Sequence, residues 1–205
     1  MLYRVIDTDE LSSLIRGFMD DYEFIAPVKA DRGYVFEVVD DPSKVELDYV
    51  TTITSPKKYF LPSEEVLMRY SAEENEITDY SVDIKPRVIF GVHPCDINAL
   101  NRLDLVYKDA PYPDPYYIKR RENTLIIGMS CMPGPNCFCN LFGTDEARMG
   151  ADMFMQKIGD KYIISLSSVE ASSTLERYCN PQRATDEDRK EFRRATRERE
   201  AAFNK

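Results

Sequence analysis

Two near-continuous apolar runs lie near the centre of the chain, at residues 87–92 and 124–129. Runs of this kind are typical of strands buried on both faces of a sheet. Between them, Ile97, Leu100 and Leu103 recur at helical spacing, and the proline that precedes them suits a first helical turn. The centre of the chain therefore predicts a strand–helix–strand unit, a connection that favours parallel, neighbouring strands.

Alternating and periodic patterns on either side of this unit extend the prediction to a mixed sheet with flanking helices, so the fold class is α/β or α+β. One predicted helix begins at Ser63 and would direct Val66, Leu67 and Tyr70 inward. The other predicted elements are strand 2–6, helix 8–18, hairpins 24–38 and 151–166, helix 168–178, an exposed acidic connection at 71–80 and a tyrosine- and proline-rich excursion at 107–117.

The last part of the chain differs in character from the rest. Residues 183–205 are dense in alternating charge, with Phe192, Ala195 and Phe203 as a thin apolar stripe. We expect two parts, an α/β domain at residues 1–182 and a charged C-terminal helix or docking arm at 183–205. The stripe is expected to be too thin to hold the helix against the domain.

The composition limits the function classes. Hydrophobic residues make up 43% of the 205 residues, which is enough to bury a core. The net charge of −9 argues against a nucleic-acid surface, because binding phosphates needs a concentrated basic face. No apolar stretch reaches the roughly 20 residues that cross a bilayer, so no direct membrane insertion is expected. The chain has one histidine, His93, which makes a stand-alone hydrolase or zinc enzyme the least favoured interpretation.

Cysteine is the residue type that points to a function. Three of the five cysteines lie within residues 131–139, on a loop that two prolines and a glycine keep from becoming a helix or a strand. Because one cysteine follows each central strand, both are expected at the same carboxyl edge of the sheet, where open α/β folds bind ligands. A turn at Gly134 brings the other two loop thiols back over that edge. The candidate site is therefore formed by Cys95, Cys131, Cys137 and Cys139.

The chemistry of this site has several interpretations. Four cysteine thiolates suit an iron–sulfur cluster and a structural zinc equally well, and the spacing matches neither a bacterial ferredoxin run nor a zinc ribbon. Ordinary buried thiols and a disulfide pair are further alternatives. The uneven cysteine count and the absence of a signal-like first segment favour a reducing, cytoplasmic compartment. At a helix N-terminus, Cys95 is expected to favour its thiolate form.

Three further residues complete the expectations for the site. Phe138 lies between two candidate ligands and either shields the site from water or belongs to an ordinary core. His93 lies two residues before Cys95, within reach of a thiolate or cluster sulfur, where a hydrogen bond would shift a redox potential. The fifth cysteine, Cys179, is expected to be buried or half-buried and to take no part in the site.

With these residues placed, the sequence resembles the beta subunits of cytoplasmic sulfhydrogenases and the related subunits of anaerobic sulfite reductases, which are iron–sulfur electron-transfer subunits. The resemblance spans almost the whole chain. It rests on four blocks, at residues 56–62, 91–96, 117–123 and 137–139. The two cysteine-containing blocks together are specific, whereas the lysine-containing first block alone would be weak.

The resemblance implies a non-catalytic electron-transfer subunit of a larger cytoplasmic oxidoreductase complex, with a flavin- or hydrogenase-bearing partner. It favours a [4Fe–4S] cluster on the four cysteines of the candidate site. The alternative is a zinc-stabilised structural or adaptor subunit with no redox role. In the family, the position of His93 is commonly arginine, so this histidine is either a tuning group or a ligand. Members usually continue into a ferredoxin-like domain that is not found here, which implies a separate ferredoxin-like subunit in a hetero-oligomer or the absence of those clusters.

Overall fold

The structure is a computed structural model that describes residues 2–79, 84–147 and 149–203. The strands within these residues are β1 (Leu2–Asp7), β2 (Glu23–Ala30), β3 (Gly33–Val38), β4 (Met68–Ser71), β5 (Glu76–Asp79), β6 (Arg87–Val92), β7 (Thr124–Met129), β8 (Met153–Ile158), β9 (Lys161–Leu166) and β10 (Gln182–Arg183). The α-helices are α1 (Thr8–Asp21), α2 (Pro94–Tyr107), α3 (Pro115–Glu122), α4 (Val169–Tyr178) and α5 (Asp186–Ala202).

One mixed sheet organises the fold, with strand order β10-β1-β9-β8-β7-β6-β2-β3. The four strands β2, β6, β7 and β8 run parallel to one another, since β2 pairs in parallel with β6, β6 with β7 and β7 with β8. The outer pairs are antiparallel. The predicted mixed sheet with flanking helices is confirmed, and the strand–helix–strand unit at its centre has the parallel pairing that its sequence favours.

Helices cover both faces of this sheet. On one face α1 and α4 pack through an apolar stripe that includes Leu14, Phe18 and Leu175, each fully buried. A capping box between Asp7 and Glu10 starts α1 directly after β1. On the other face, Ile97 and Leu100 of α2 and Tyr117 of α3 pack in a second apolar cluster. The sheet is therefore buried on both sides at its centre, which explains the near-continuous apolar composition of β6 and β7.

The helix predicted from Ser63 is wrong. Residues 63–67 are not helical, and Met68–Ser71 is a strand that pairs antiparallel with Glu76–Asp79 across a turn in which Asn75 has a φ of 52°. The apolar side chains of Val66, Leu67 and Tyr70 are 45%, 52% and 61% exposed instead of directed inward. Hairpin pairing across the acidic turn outweighs the local helical spacing here. Residue 80, at the end of the predicted connection, lies outside the described residues.

Helix α3, which begins within the tyrosine- and proline-rich excursion, was not predicted from the sequence. The Asp114 side chain accepts hydrogen bonds from the backbone N–H groups of Tyr116 and Tyr117, and Pro115 occupies the first helical position of α3. An acidic N-cap followed by proline is a local signal for a helix start. The same helix supplies Arg120, which is buried and pairs with Glu65.

The C-terminal segment, expected as a charged helix or docking arm that its thin apolar stripe would not hold against the domain, contains a helix that packs on the sheet. The predicted boundary after residue 182 falls inside β10, which pairs with β1. The following helix, α5, packs on β8, where the Gln156 side chain donates hydrogen bonds to the Phe192 carbonyl at 3.2 Å and to Thr196 Oγ1 at 3.3 Å. These polar contacts supplement the thin apolar stripe. Docking of this helix to another chain stays a prediction, and residues 204 and 205 lie outside the described part.

None of the helices in the described residues combines the length and the apolar character that a bilayer span requires.

Candidate functional site

Two neighbouring strands deliver cysteines to the same edge of the sheet. Strands β6 and β7 pair in parallel from Arg87↔Thr124 to Val92↔Gly128. Cys95 lies in the first turn of α2, directly after β6, and Cys131 lies two residues beyond the end of β7. At the end of β6 the pairing shifts register, and Gly91 takes a φ of 79° that other residues rarely adopt. The chain therefore leaves both strands at the carboxyl edge of the sheet.

The loop at residues 131–139 is tightly turned. The N–H of Gly134 donates to the Cys137 sulfur at 3.3 Å, and the Cys137 N–H donates to the Gly134 carbonyl at 3.0 Å. A Cβ atom at Gly134 would lie 2.7 Å from Cγ1 of Val50, so a larger residue here would require Val50 to shift. The loop then enters a short 3-10 helix at Cys139–Phe142. Gly134 thus shapes the turn and supplies a hydrogen bond to a candidate ligand.

The thiols of this edge interact electrostatically. Cys95 is exposed as a residue, but partial desolvation of its sulfur raises the pKa of the thiol to about 12, and the charges of Asp96, Cys131 and Cys139 act in the same direction. Burial, followed by the charges of Cys139 and Cys137, raises the pKa of Cys131 to about 11, against an opposing effect of a nearby arginine. The Cys139 pKa is also raised, first by burial and then by Cys137. Cys95, Cys131 and Cys139 therefore each respond to the charge of at least one other thiol of the candidate site.

These pKa shifts correct one expectation. Cys95 has the predicted position at a helix N-terminus, but burial and neighbouring acidic groups outweigh the helix dipole, so its thiol is protonated at neutral pH. A metal cation would have to displace the proton, which makes binding weaken as the pH falls.

The described residues do not contain three His, Cys, Asp or Glu side chains arranged closely enough to hold a metal ion. The cysteines thus share one region of the molecule, where neighbouring thiols raise the pKa values of Cys95, Cys131 and Cys139. Their direct convergence on a metal centre stays a prediction.

His93 lies behind Cys95 and is almost completely buried. Its ring stacks on Tyr49 with centroids 3.9 Å apart and an interplanar angle of 4°. Burial lowers its pKa to about 4, although an interaction with the Val50 backbone opposes the shift. The ring is therefore neutral at physiological pH, and its buried Nε2 atom has no hydrogen-bond partner among the described residues. An unpartnered buried nitrogen beside a candidate ligand fits either of the two roles expected from the sequence.

Residues 46–55 cover this edge of the sheet, a role that no sequence pattern predicted. Tyr49 stacks on His93 and donates from its hydroxyl to the Gly91 carbonyl at 2.7 Å. Ser55 donates to Asp96 at 2.8 Å, next to Cys95 in the first turn of α2. No local motif marks this segment, because its contacts are with residues about 40 positions further along the chain.

Phe138 and Cys179, for which the sequence gave specific expectations, have different surroundings. Phe138 is 63% exposed and contacts only the edge of Phe142 among the described aromatic rings, with centroids 6.0 Å apart, so its ring lies at the surface. Shielding of the site by this ring stays a prediction. Cys179 is half-buried at the end of α4, where its sulfur donates to the Leu175 carbonyl at 3.3 Å. Burial, followed by the charge of Glu10, raises its pKa to about 12.

A cavity of about 260 Å³ opens beside Cys131. Strand, loop and helix all contribute to its wall, which includes Val50, Cys131, Met132, Gln156, Tyr162 and Arg199. Arg199 of α5 also lines a neighbouring cavity of about 270 Å³. The C-terminal helix thus reaches the cysteine edge of the sheet, which the sequence pattern gave no reason to expect.

Comparison with known proteins adds an independent observation. The beta subunit of sulfhydrogenase 2 from Pyrococcus furiosus is 38% identical to this chain over 180 residues, which is 87% of the chain. The chain spans about half of that relative's length, since the matched region covers 53% of it. No protein-family model and no solved structure matches the chain. The similarity therefore extends across nearly all of the fold described above.

Proposed function

Because this chain belongs to the family of sulfhydrogenase beta subunits, we propose that it is an electron-transfer subunit with one [4Fe–4S] cluster held by Cys95, Cys131, Cys137 and Cys139. The observation that carries the proposal is the parallel pairing of β6 and β7, each of which is followed by a cysteine at the same edge of the sheet. Ligands at that edge are the rule in open α/β sheets.

The donor set fits such a cluster. Iron–sulfur clusters are held by cysteine thiolates, and the four thiols at this edge of the sheet supply the usual number. The N–H of Gly134 directed at Cys137 is the kind of hydrogen bond that stabilises a thiolate ligand. When bound, the cluster supplies a redox centre. The protein's own contribution is to release the thiol protons, to fix the loop and to bury His93 behind Cys95.

An exposed apolar surface surrounds the cysteine loop and supports a partner for electron transfer. We call it the cysteine-loop rim, and it consists of Met132, Phe138, Leu141, Phe142 and Met149, each between 57% and 78% exposed. Contiguous exposed apolar groups mark interaction sites more often than ordinary surface. In the proposed complex this rim faces a redox centre on another chain, either a flavin- or hydrogenase-bearing subunit or a separate ferredoxin-like subunit.

The proposal is tested by anaerobic purification followed by determination of iron, acid-labile sulfide and zinc. We expect a brown protein with about four iron atoms and four sulfides per chain. A colourless protein with one tightly bound zinc would support the structural or adaptor alternative, since thiolates also hold zinc. If neither metal remains bound and neither can be reconstituted, both functions are wrong.

A further inference from the structure

Helix α5 carries a buried cation beside the cysteine edge. Arg199 is only 5% exposed, although most of its helix is charged and solvated. Its guanidinium donates to the Asp145 backbone carbonyl and lies 3.7 Å from the Asp145 carboxylate and 3.5 Å from the Glu146 carboxylate. A buried guanidinium with a carbonyl and two carboxylates is a fixed contact, because moving it would leave a charge unpaired inside the protein.

The residues that Arg199 holds belong to the segment that begins at Cys139. After the 3-10 helix, the Thr144 N–H and hydroxyl both donate to the Cys139 carbonyl, at 3.0 Å and 3.1 Å. From the other side, the Asn98 side chain of α2 donates to the Glu146 carbonyl at 2.7 Å. Asn98 lies three residues after Cys95. The segment at residues 139–146 is therefore gripped between the helix that carries Cys95 and the C-terminal helix.

Helix α5, which carries Arg199, is itself held in place by several contacts with the sheet. Helix α5 begins with a capping box between Thr185 and Asp188 and is bonded to β8 through Gln156. Tyr3 of β1 packs on Phe192 of the helix with ring centroids 6.0 Å apart. Contacts with β1, β8 and β9, together with the helix cap, thus set the position of α5 and its guanidinium independently of the cysteine loop.

The guanidinium also contributes charge. Arg199 and Cys131 line the same cavity, so the positive charge of the guanidinium lies near the cysteine edge. A positive charge near a metal–thiolate centre favours its more negative, reduced state.

From this geometry we infer that Arg199 is a positioning residue, which clasps residues 139–146 against α5 and so fixes Cys139 for metal binding. The metal-binding part rests on the proposed function, whereas the clasp itself does not. Loss of the clasp should loosen the segment in the metal-free protein, speed metal release and, through the lost charge, lower the midpoint potential of a bound cluster.

The clasp is tested first by amide hydrogen exchange on metal-free protein, comparing Arg199→Gln with the matched control Arg197→Gln, an exposed position on the same helix. We expect exchange at residues 139–146 to be on the order of tenfold faster in Arg199→Gln, because a charged hydrogen bond and two ion pairs are lost. Peptides from β2 and β6 should be unchanged in both variants. Unchanged exchange at 139–146 would overturn the inference.

Glu146→Gln weakens the clasp from its other side at a half-exposed residue, and it replaces Arg199→Gln if that variant fails to fold. Arg199→Lys separates the two roles, because lysine keeps the charge and loses the planar fork. We expect Arg199→Lys to release metal several-fold faster into a chelator while holding the midpoint potential near the wild-type value. Equal release rates in wild type and all three variants would contradict the clasp. Failure of the wild type itself to bind any metal would overturn the proposed function, while the exchange result would still decide the clasp.

Discussion

The carboxyl edge of the sheet and the end of α4 both hold cysteines, and the two environments differ in the charged groups that surround each thiol. The pKa of Cys179 is raised to about 12, as is that of Cys95, and burial is the largest cause in each case. Beyond burial, Cys179 is influenced by one glutamate, whereas Cys95 is influenced by an aspartate and two other thiols. Thiols that disfavour one another's ionisation favour the proposed cation site, because a bound cation would relieve that effect, and a single thiol gives no such support.

The strongest way to break this comparison is to remove one thiol from each environment. We expect Cys131→Ser to lose nearly all bound iron, because an iron–sulfur cluster needs its thiolate ligands. We expect Cys179→Ser to keep its iron, since its sulfur donates to the Leu175 carbonyl and packs against apolar residues away from the candidate site. The measurement is iron per chain after anaerobic purification, with circular dichroism as a check on folding. Equal iron in both variants would contradict the assignment.

The next prediction concerns the pH dependence of stability that follows from the burial of His93. Its pKa falls from 6.5 to about 4 on folding, so between these values the unfolded chain binds more protons than the folded one. His93 therefore does not reduce the free energy of unfolding above pH 6.5. As the pH falls from 6.5 towards 4, the free energy of unfolding decreases by at most about 3 kcal/mol, at 1.36 kcal/mol per pKa unit.

The variant His93→Phe keeps a ring against Tyr49 and removes this titration. We expect its urea-unfolding stability, measured on metal-free protein, to fall less steeply with decreasing pH than that of the wild type. Carboxylates titrate in both proteins, so their effect cancels in the difference. Parallel stability curves from pH 7 to 4 would show that the imidazole is solvated in the folded protein.

A third prediction addresses the turn of the cysteine loop. Gly134→Ala should destabilise the metal-free protein by about 1–3 kcal/mol, because the new methyl group would meet Val50 at 2.7 Å. Val50→Ala removes that contact, so the double variant should recover most of the loss in a urea-unfolding cycle. Additive effects of the two substitutions would mean that the loop and the Val50 segment do not touch.

The smallest effect is expected at the cysteine-loop rim. Phe138→Ala and Phe142→Ala should each change the free energy of unfolding by no more than about 0.5 kcal/mol, because both rings are largely exposed. Thermal and urea unfolding of the isolated chain measure this. A loss of several kcal/mol from either substitution would place that ring in a packed core and remove the rim as a docking surface.

The parts of the fold that the sequence predicted are those with a local signature. Parallel strands buried on both faces read as apolar runs, which identified β6 and β7, and a glycine between alternating segments identified the hairpins at Gly33 and Gly159. The helix predicted from Ser63 was wrong because its apolar spacing was also compatible with the β4–β5 hairpin. Local spacing could not decide between a helix and a pairing that depends on the next ten residues.

The candidate site was predictable to a similar, limited depth. Each cysteine of the site could be placed relative to a strand, because the strands themselves were visible in the pattern. Tyr49 and Arg199 were not, because a tyrosine in a loop and an arginine in a charged helix have no local feature that reveals a buried partner. Their contacts link segments about 40 to 50 residues apart, a relation that only the folded chain provides.

The position of β1 between β9 and β10 has a consequence for the order of events during synthesis. Strand β1 has its partners in residues 161–166 and 182–183, so it cannot pair until more than 150 further residues have been made. Strands β6 and β7 are about 30 residues apart and can associate much earlier, since short loops close at lower entropic cost. We therefore expect the thiols to meet while the ribosome is still producing α5. A cofactor-loading protein would find them uncovered during that interval.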